Sequence, residues 1–270
     1  MTSIELLGVL LVIALVVGLV GFARTVWFIS IGYAASIVAF VLALVLLAGS
    51  RLTPLGIAQL LAALVWGVRL GSFLVRRESR ATYRAAVKDQ TDRSQALPLN
   101  AKLGIWISVA VLYVCMFSPA VFLTYAMPTL SQGQMLSSAV GVGIMWLGLA
   151  IEAIADHQKS RLKATDPDAF ARNGLYAWVR YPNYLGEILF WFGNFVAGIV
   201  AYTEWWHWVM ASTGIVCIVL IMMGSTKRME YKQDRRYGDD SDYQEYSRTV
   251  PVLVPWIPLY TLKNIQVYLE

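Results

Sequence analysis

The sequence predicts an all-α, polytopic membrane protein with seven transmembrane helices, and three observations support that fold class. Hydrophobic residues make up 58% of the chain and charged residues only 14%, which is too apolar for a soluble globular domain. Seven stretches approach the roughly 20 consecutive apolar residues that cross a bilayer core. Basic residues are concentrated in alternate connecting loops, as expected of a protein that crosses the membrane repeatedly.

Each predicted span is a continuous apolar run bounded by polar residues. The seven lie at residues 4–22, 26–49, 54–75, 103–127, 135–151, 187–203 and 205–224. Residues 1–22 have no basic leading region and no small-residue cleavage site, so they are interpreted as the first span and not as a signal peptide. We predict one membrane domain over residues 1–270, with a partly helical polar loop at 77–102 and a tail at 225–270 whose Pro-broken apolar end lies back on the protein or the interface.

The distribution of basic residues predicts the orientation of the chain. They cluster after the third, fifth and seventh spans: Arg76, Arg77, Arg80, Arg84, Lys88 and Arg93; Lys159, Arg161, Lys163, Arg172 and Arg180; Lys227, Arg228, Lys232, Arg235 and Arg236. The alternate loops carry only Arg51. By the positive-inside rule the N-terminus is outside and the tail is cytosolic. This distribution accounts for the net charge of +5, so the charge does not indicate nucleic-acid binding.

The histidines and cysteines do not indicate a metal site. His157 and His207 are fifty residues apart in the sequence and predicted on opposite sides of the membrane, which argues against a His-based site. Cys115 and Cys217 both lie in apolar spans, where packing is the simplest role.

Several charged residues lie where a span ends. Arg69 is about two turns inside the end of the third span, where it either extends to the interface or faces the bundle and meets an anion. In "IEAIADHQKSRLK", residues 151–163, four charged residues at spacings of 4, 3 and 4 share one helix face: Glu152, Asp156, Lys159 and Lys163. They form either a solvated ion-paired face or a binding site, and two acids at the end of a span favour the site.

The stretch "NGLYAWVRYPNYLGEILFWFG", residues 173–193, gives the strongest indication of a binding site. Pro182 fits the first turn of a helix, whose free N–H groups favour an anion. Arg180 precedes it, and Asn183 and Glu187 are four residues apart on one face. An ordinary capped helix start is the alternative interpretation. No G-x-G-x-x-G joins a strand to a helix; "GVGIMWLG", residues 141–148, has the wrong spacing and fits helix packing.

These residues carry a resemblance to a known family. The 173–193 stretch resembles the C-terminal signature of the steroid 5-alpha-reductases, especially their bacterial relatives of unassigned substrate. "IEAIADHQKSRLK", "WGVRLGSFLVRR" at residues 66–77 and the tail from Met229 through "YQEYSRTVPVLVPW" are similar to segments of the same family. The resemblance covers about residues 60–258.

The resemblance implies seven helices, NADPH bound in the cytosolic half, and hydride transfer to a carbon–carbon double bond conjugated to a ketone in a lipophilic substrate that enters from the bilayer. It also implies an integral protein of a bacterial inner membrane. The cofactor contacts that it implies are Arg69, Glu152, Asp156, Lys163, Asn183 and Glu187. Charge and placement add Arg80, Lys159, Arg161, Arg180, Arg228 and Tyr246.

The chain departs from the family where the steroid ketone is polarised. The Tyr that stands three residues before the third-span Arg is here Trp66, and the end of the second span, "LLAGSRLTP", has no acid. A ketone needs a hydrogen-bond donor at its developing negative charge; Tyr33 and Tyr113 are candidates, although structural roles fit both. The departure argues against a classical steroid substrate and leaves sterols, enone fatty derivatives and isoprenoids open.

The alternative function is a membrane methyltransferase of the isoprenylcysteine or phospholipid type, which uses S-adenosylmethionine. These enzymes share an Arg-x-Pro-x-Tyr-x-Gly turn and an acidic, Tyr-rich tail. "RYPNYLGE" with Asn183 and Glu187, and the single Glu230 in place of two adjacent acids, favour the reductase.

Overall fold

The fold is all-helical in a computed structural model that describes residues 1–79 and 88–266. Within these residues the α-helices are Ser3–Gly18 (α1), Val20–Ala23 (α2), Ile31–Ala48 (α3), Pro54–Ser79 (α4), Lys88–Gln95 (α5), Leu99–Ala126 (α6), Gln132–Thr165 (α7), Pro182–Gly198 (α8), Trp205–Tyr237 (α9) and Ser241–Thr249 (α10). Short 3-10 turns connect several of them, and no strand occurs in the same residues.

Seven helical segments of the described chain are long and apolar enough to cross a membrane, which confirms the predicted number. They are Ser3–Ala23, Thr25–Arg51, Pro54–Ser79, Leu99–Thr129, Gln132–Thr165, Pro182–Ala201 and Trp205–Tyr237. The protein is therefore an integral, multi-pass membrane protein. Large apolar side chains remain exposed along these segments, for example Leu46 and Leu136, and a bilayer supplies the apolar surroundings that they need.

The predicted span ends differ most from the helix ends at three places. The fifth helix continues from 151 to Thr165 and the seventh from 224 to Tyr237, while the sixth begins at Pro182 and not at 187. Apolarity marks only the part of a helix that meets hydrocarbon, whereas Glu, Lys and Arg are good helix formers that continue the same backbone hydrogen bonds into water. Pro182 at the first position matches the predicted helix start.

The chain forms two compact units. Unit 1 contains residues Met1–Val142 and Asn194–Gly214, and unit 2 contains Gly143–Gly193 and Ile215–Glu270. The single membrane domain predicted from sequence stays a prediction, and each unit is described by itself.

Unit 1 has an aromatic and aliphatic core with a few buried polar contacts. The ring of Tyr33 stacks on Tyr113 at 4.9 Å and meets the fully buried Trp66 edge-on at 5.0 Å. The Tyr113 hydroxyl donates to the carbonyl of Phe28 at 2.7 Å, so this candidate donor to a ketone already has an acceptor within the core.

Buried amides join three helices of unit 1. The Gln59 amide donates to the Asn194 side chain at 2.8 Å, and the Asn194 amide donates to the carbonyl of Met116 at 2.9 Å. Hydrogen bonds inside a membrane protein reduce the cost of placing polar side chains among apolar ones. Asn194 is the first residue of α8 that belongs to unit 1, and these two bonds connect it to α4 and α6.

Unit 2 contains the charged ends of α7, α8 and α9, together with α10 and the segment 250–266, which we call the C-terminal strap. A small core joins the strap to the start of α8: Tyr181, Val252, Leu253 and Leu262. The backbone N–H groups of Arg180 and Tyr181 donate to Pro251 and Val252. The apolar end of the tail thus lies back on the protein, as predicted.

Candidate functional site

The candidate site is built around a close crossing of α7 and α8 in unit 2. A Cβ added to Gly148 would lie 2.5 Å from the backbone nitrogen of Phe190, and one added to Gly186 would lie 2.7 Å from that of Glu152. Real Cβ atoms essentially never come so close, so only glycine permits this approach. Because Gly148 meets Phe190 and Glu152 meets Gly186, the two helices run antiparallel here.

The crossing lies among the acidic and amide residues that the sequence proposed for the site. Glu152 is 4% exposed and lies against Gly186, and Glu187, which follows Gly186, is 8% exposed. One turn farther towards the charged end, Asp156 on α7 and Asn183 on α8 are half-buried. Two buried carboxylates at the ends of spans are costly unless hydrogen bonds or a ligand stabilise them, so such residues indicate a functional site.

A group of lysines continues the same face of α7. Lys159 is half-buried and lies within electrostatic reach of Asp156, Lys163 and Lys232. The Lys163 ammonium donates to the carbonyls of Pro167 and Ala169 and to the Tyr237 hydroxyl, so it orders the turn after α7. The face therefore changes from acidic to basic along the helix axis.

Arg161 lies on a different side of α7. At 100° per residue it points about 180° away from Glu152, and it lines a cavity of about 530 Å³ that also contains Arg172 and Gly174. The structure does not bring Arg161 together with the acidic crossing, although the sequence placed both in one cofactor site. Spacing of 9 residues puts two side chains on opposite helix faces.

The "NGLYA" turn is positioned by α7 and α10. Gly174 has a φ of 65°, a left-handed conformation that favours glycine, and a Cβ there would lie 2.5 Å from the Gln158 amide nitrogen and displace that side chain. The Gln158 side chain accepts from the N–H of Leu175 at 3.1 Å. The Tyr246 hydroxyl donates to the carbonyl of Tyr176 at 2.7 Å, which gives Tyr246 an internal partner.

Arg180 forms a buried ion pair at the start of α8. Its guanidinium lies 2.8 Å from a Glu230 carboxylate oxygen, with side-chain exposures of 2% and 1%. It also donates to the carbonyl of Tyr260, and the other Glu230 oxygen accepts from the N–H of Leu262 at 2.8 Å. These contacts join α8, α9 and the strap, so Arg180 has a positioning role whether or not it also meets a ligand.

Burial perturbs the tyrosines that surround this turn. Desolvation raises the pKa of Tyr176 above its ordinary value, and the nearby Asp156 carboxylate raises it further. Burial also raises the pKa of Tyr181, Tyr243 and Tyr246. These hydroxyls therefore stay protonated and act as hydrogen-bond donors, as the Tyr246 contact requires.

Of the remaining predicted residues, two lie on other helices and one lies outside the described residues. Arg228 is exposed on α9 and donates to the Ser225 hydroxyl at 2.9 Å. Arg69 is half-buried on α4 and belongs to unit 1. Arg80 lies outside the described residues.

Two residues that contribute to the candidate site were not predicted from the sequence. Lys232 joins the lysine group because α9 continues to Tyr237, and its spacing of four from Arg228 in a charged helical segment was the available signal. Gln158 fixes the turn through a side chain-to-backbone bond, which no spacing in the sequence indicates.

The site chemistry is that of amides, carboxylates and ammonium groups. Across residues 1–79 and 88–266, no group of three His, Cys, Asp or Glu side chains lies close enough to hold a metal ion. Carboxylates and amides bind hydroxyl and carboxamide groups, whereas lysines bind phosphates. The acidic-to-basic face of α7 fits a ligand that carries both kinds of group, such as a dinucleotide.

Fold and site together define a seven-span, all-helical membrane protein with a polar, two-helix site at the charged ends of α7 and α8. The chain belongs to the family described as "Protein of unknown function (DUF1295)", whose pattern matches residues 12–250. The match includes every helix that contributes to the crossing. No curated protein and no solved structure matches the chain.

Proposed function

We propose that this protein is a membrane-embedded, NADPH-dependent reductase that transfers hydride to an activated carbon–carbon double bond of a lipophilic substrate. The observation that carries the proposal is the glycine-mediated crossing, which places the segment of α8 that contains Asn183 and Glu187 beside the segment of α7 that contains Glu152 and Asp156. The resemblance of both segments to the steroid 5-alpha-reductases supports the same interpretation.

The order of charges along α7 supports a dinucleotide over a simple anion. From Glu152 to Lys163 the helix rises about 16 Å at roughly 1.5 Å per residue, and its face changes from carboxylates to lysines. A phosphate alone would be repelled by the acidic end. A ligand with an amide and sugar hydroxyls at one end and phosphates at the other satisfies both ends.

The residues of this chain would bind and orient the cofactor. Asn183 and the carboxylates Glu152 and Glu187 would hold carboxamide and ribose groups, and Lys159 and Lys232 would bind phosphates. A bound nicotinamide cofactor supplies the hydride, and the protein supplies orientation and electrostatics. The close α7–α8 contact fixes the carboxylates on rigid helices, which limits their motion relative to a bound ligand.

Cofactor binding tests the proposal directly. The purified protein in detergent is titrated calorimetrically with NADPH, NADH and S-adenosylmethionine. We expect NADPH to bind best, because the lysines favour its additional phosphate, and S-adenosylmethionine not to bind. Tight S-adenosylmethionine binding without nicotinamide binding would show that the protein is a methyltransferase instead.

Matched variants test the site itself. Asn183→Ala and Glu187→Gln should each weaken NADPH binding about tenfold, the effect of one lost hydrogen bond, without lowering the melting temperature to the same extent. Asn264→Ala and Glu245→Gln, both at exposed positions, serve as controls. Unchanged affinity in both site variants would refute the site, and enone-dependent NADPH oxidation would establish the reaction.

A further inference from the structure

A second polar cavity lies in unit 2, where α9, α10 and the C-terminal strap meet. Its volume is about 380 Å³. It is lined by Arg180, Glu230, Asp234, Ser247, Arg248, Tyr260, Thr261 and Lys263. None of the acidic and amide residues at the α7–α8 crossing belongs to this lining. The cavity is therefore lined by a different set of side chains from those of the proposed cofactor site.

The two acids of this cavity are already engaged. The Glu230 oxygens accept from Arg180 and from the N–H of Leu262, each at 2.8 Å. The Asp234 oxygens accept from the Tyr243 hydroxyl at 2.9 Å and from the Lys263 ammonium at 2.6 Å. Each of the four carboxylate oxygens therefore has a donor, and the two acids are paired with Arg180 and Lys263. Three cations and two acids leave the lining with a formal net charge of +1.

Several donors, in contrast, have capacity to spare. The Nε of Arg180 is buried and has no hydrogen-bond partner among the described residues, and the residue as a whole is only 3% exposed. The Lys263 ammonium carries three N–H donors, of which one is used by Asp234. Arg248 adds an exposed guanidinium. A cavity with paired acids, one positive charge in excess and an unpartnered buried donor favours an anion.

We propose that this cavity binds the phosphate group of an organic phosphate. Its cations come from three separate segments, namely the loop before α8 (Arg180), α10 (Arg248) and the strap (Lys263), and a tetrahedral phosphate offers three oxygens to such a set. The volume exceeds that of the bare ion, which leaves room for the attached organic part. A soluble phosphate ester and a lipid phosphate share this chemistry.

Ligand binding would fasten the strap to the rest of unit 2. Lys263 belongs to the strap, whereas Arg180 and Arg248 do not, so one phosphate contacting all three joins these segments. A ligand that binds only the folded state raises the melting temperature, and the rise grows with the logarithm of the ligand concentration once that concentration exceeds the Kd. The binding does not require a dinucleotide, so its test is independent of the proposed reductase activity.

The experiment measures the melting temperature of the purified full chain without any dinucleotide. One arm adds inorganic phosphate or glycerol 3-phosphate in detergent, with glycerol and sodium chloride at matched concentrations as controls. The other compares nanodiscs of phosphatidylcholine alone with nanodiscs that also contain phosphatidic acid. We expect a rise of at least about 3 °C when the ligand is present at roughly 100 times its Kd, and the arm that gives it identifies the source.

Two variants show whether the rise comes from this cavity. Arg248→Gln and Lys263→Gln should each reduce the rise by more than half, whereas Arg235→Gln, at an exposed position of α9 outside the cavity, should keep it. Arg248 is exposed, so its variant should fold. The proposal is overturned if no arm raises the wild-type melting temperature, or if Arg248→Gln and Lys263→Gln respond as the wild type does.

Discussion

Arg180 and Glu230 form an ion pair of 2.8 Å whose side chains are almost completely buried. The two residues are 50 positions apart in the sequence. Arg180 precedes α8 and Glu230 lies on α9, and both also bond to the strap through Tyr260 and Leu262. This pair is therefore the point where the start of α8, α9 and the end of the chain are fastened together.

Glu230→Gln should destabilise the protein strongly. The substitution leaves the Arg180 guanidinium buried without a counter-charge, and removing one partner of a buried pair typically costs about 3–5 kcal/mol. Denaturant unfolding in detergent, followed by circular dichroism, measures the change. Asp168→Asn removes one partner of the exposed Arg236–Asp168 pair and should cost less than about 1 kcal/mol. Equal effects in the two variants would contradict the structural role of the buried pair.

Gly186→Ala should disturb the α7–α8 crossing. Its Cβ would lie 2.7 Å from the backbone nitrogen of Glu152, so the helices must separate, at a cost of about 1–3 kcal/mol. We expect a lower melting temperature together with weaker NADPH binding, because Asn183 and Glu187 move with α8.

Gly143→Ala is the matched control for that substitution. Gly143 is also on α7, but a Cβ there meets nothing within 4 Å. Alanine has the higher helix propensity, so this variant should be as stable as the wild type or slightly more so and should bind NADPH normally. If Gly186→Ala behaved in the same way, the close crossing would not be present.

Lys232→Gln should weaken NADPH binding about threefold to tenfold, because a partly exposed charge–phosphate contact contributes on the order of 1 kcal/mol. The loss should shrink as salt is added, since ions screen exposed charges. Isothermal titration at low and high ionic strength measures both effects. Arg235→Gln, a nearby charge change on the same helix, should have little effect; a comparable loss there would indicate general charge attraction and not a site.

Stability should fall at alkaline pH because of four buried tyrosines. Burial raises the folded-state pKa of Tyr176, Tyr181, Tyr243 and Tyr246 above the unfolded value of about 10. The folded state therefore keeps protons that the unfolded state releases, so this stability is present below about pH 10 and is lost as the pH rises through the folded pKa values.

Tyrosinate absorbance and helicity, recorded together against pH, measure this effect. We expect a fraction of the absorbance to develop only as helicity is lost, and Tyr246→Phe to reduce that fraction. Complete ionisation of the tyrosines in a protein that is still helical would contradict the burial of these hydroxyls.

Much of the candidate site was predictable because helix geometry converts spacing into position. The spacing of Glu152, Asp156 and Lys159 predicted one face of α7, and Asn183 and Glu187 one face of α8. The same rule separates Arg161 from that face, although charge alone had grouped it with the others. The ion partner of Arg180 and the acceptor of Tyr246 were not predictable, because both bonds join segments that are distant in the sequence.

The sequence by itself determined that this is a seven-span, all-helical membrane protein, because hydrocarbon requires long apolar segments whose backbone groups bond internally. It also determined which residues share a helix face. Only the tertiary structure decided which helix faces meet. The close approach of α7 and α8 at Gly148 and Gly186, and the path of the strap, both depend on contacts between segments that are distant in the sequence. That is why helix spacing indicated the acids near the crossing, whereas the buried Arg180–Glu230 pair and the polar cavity beside it were found only in the folded chain.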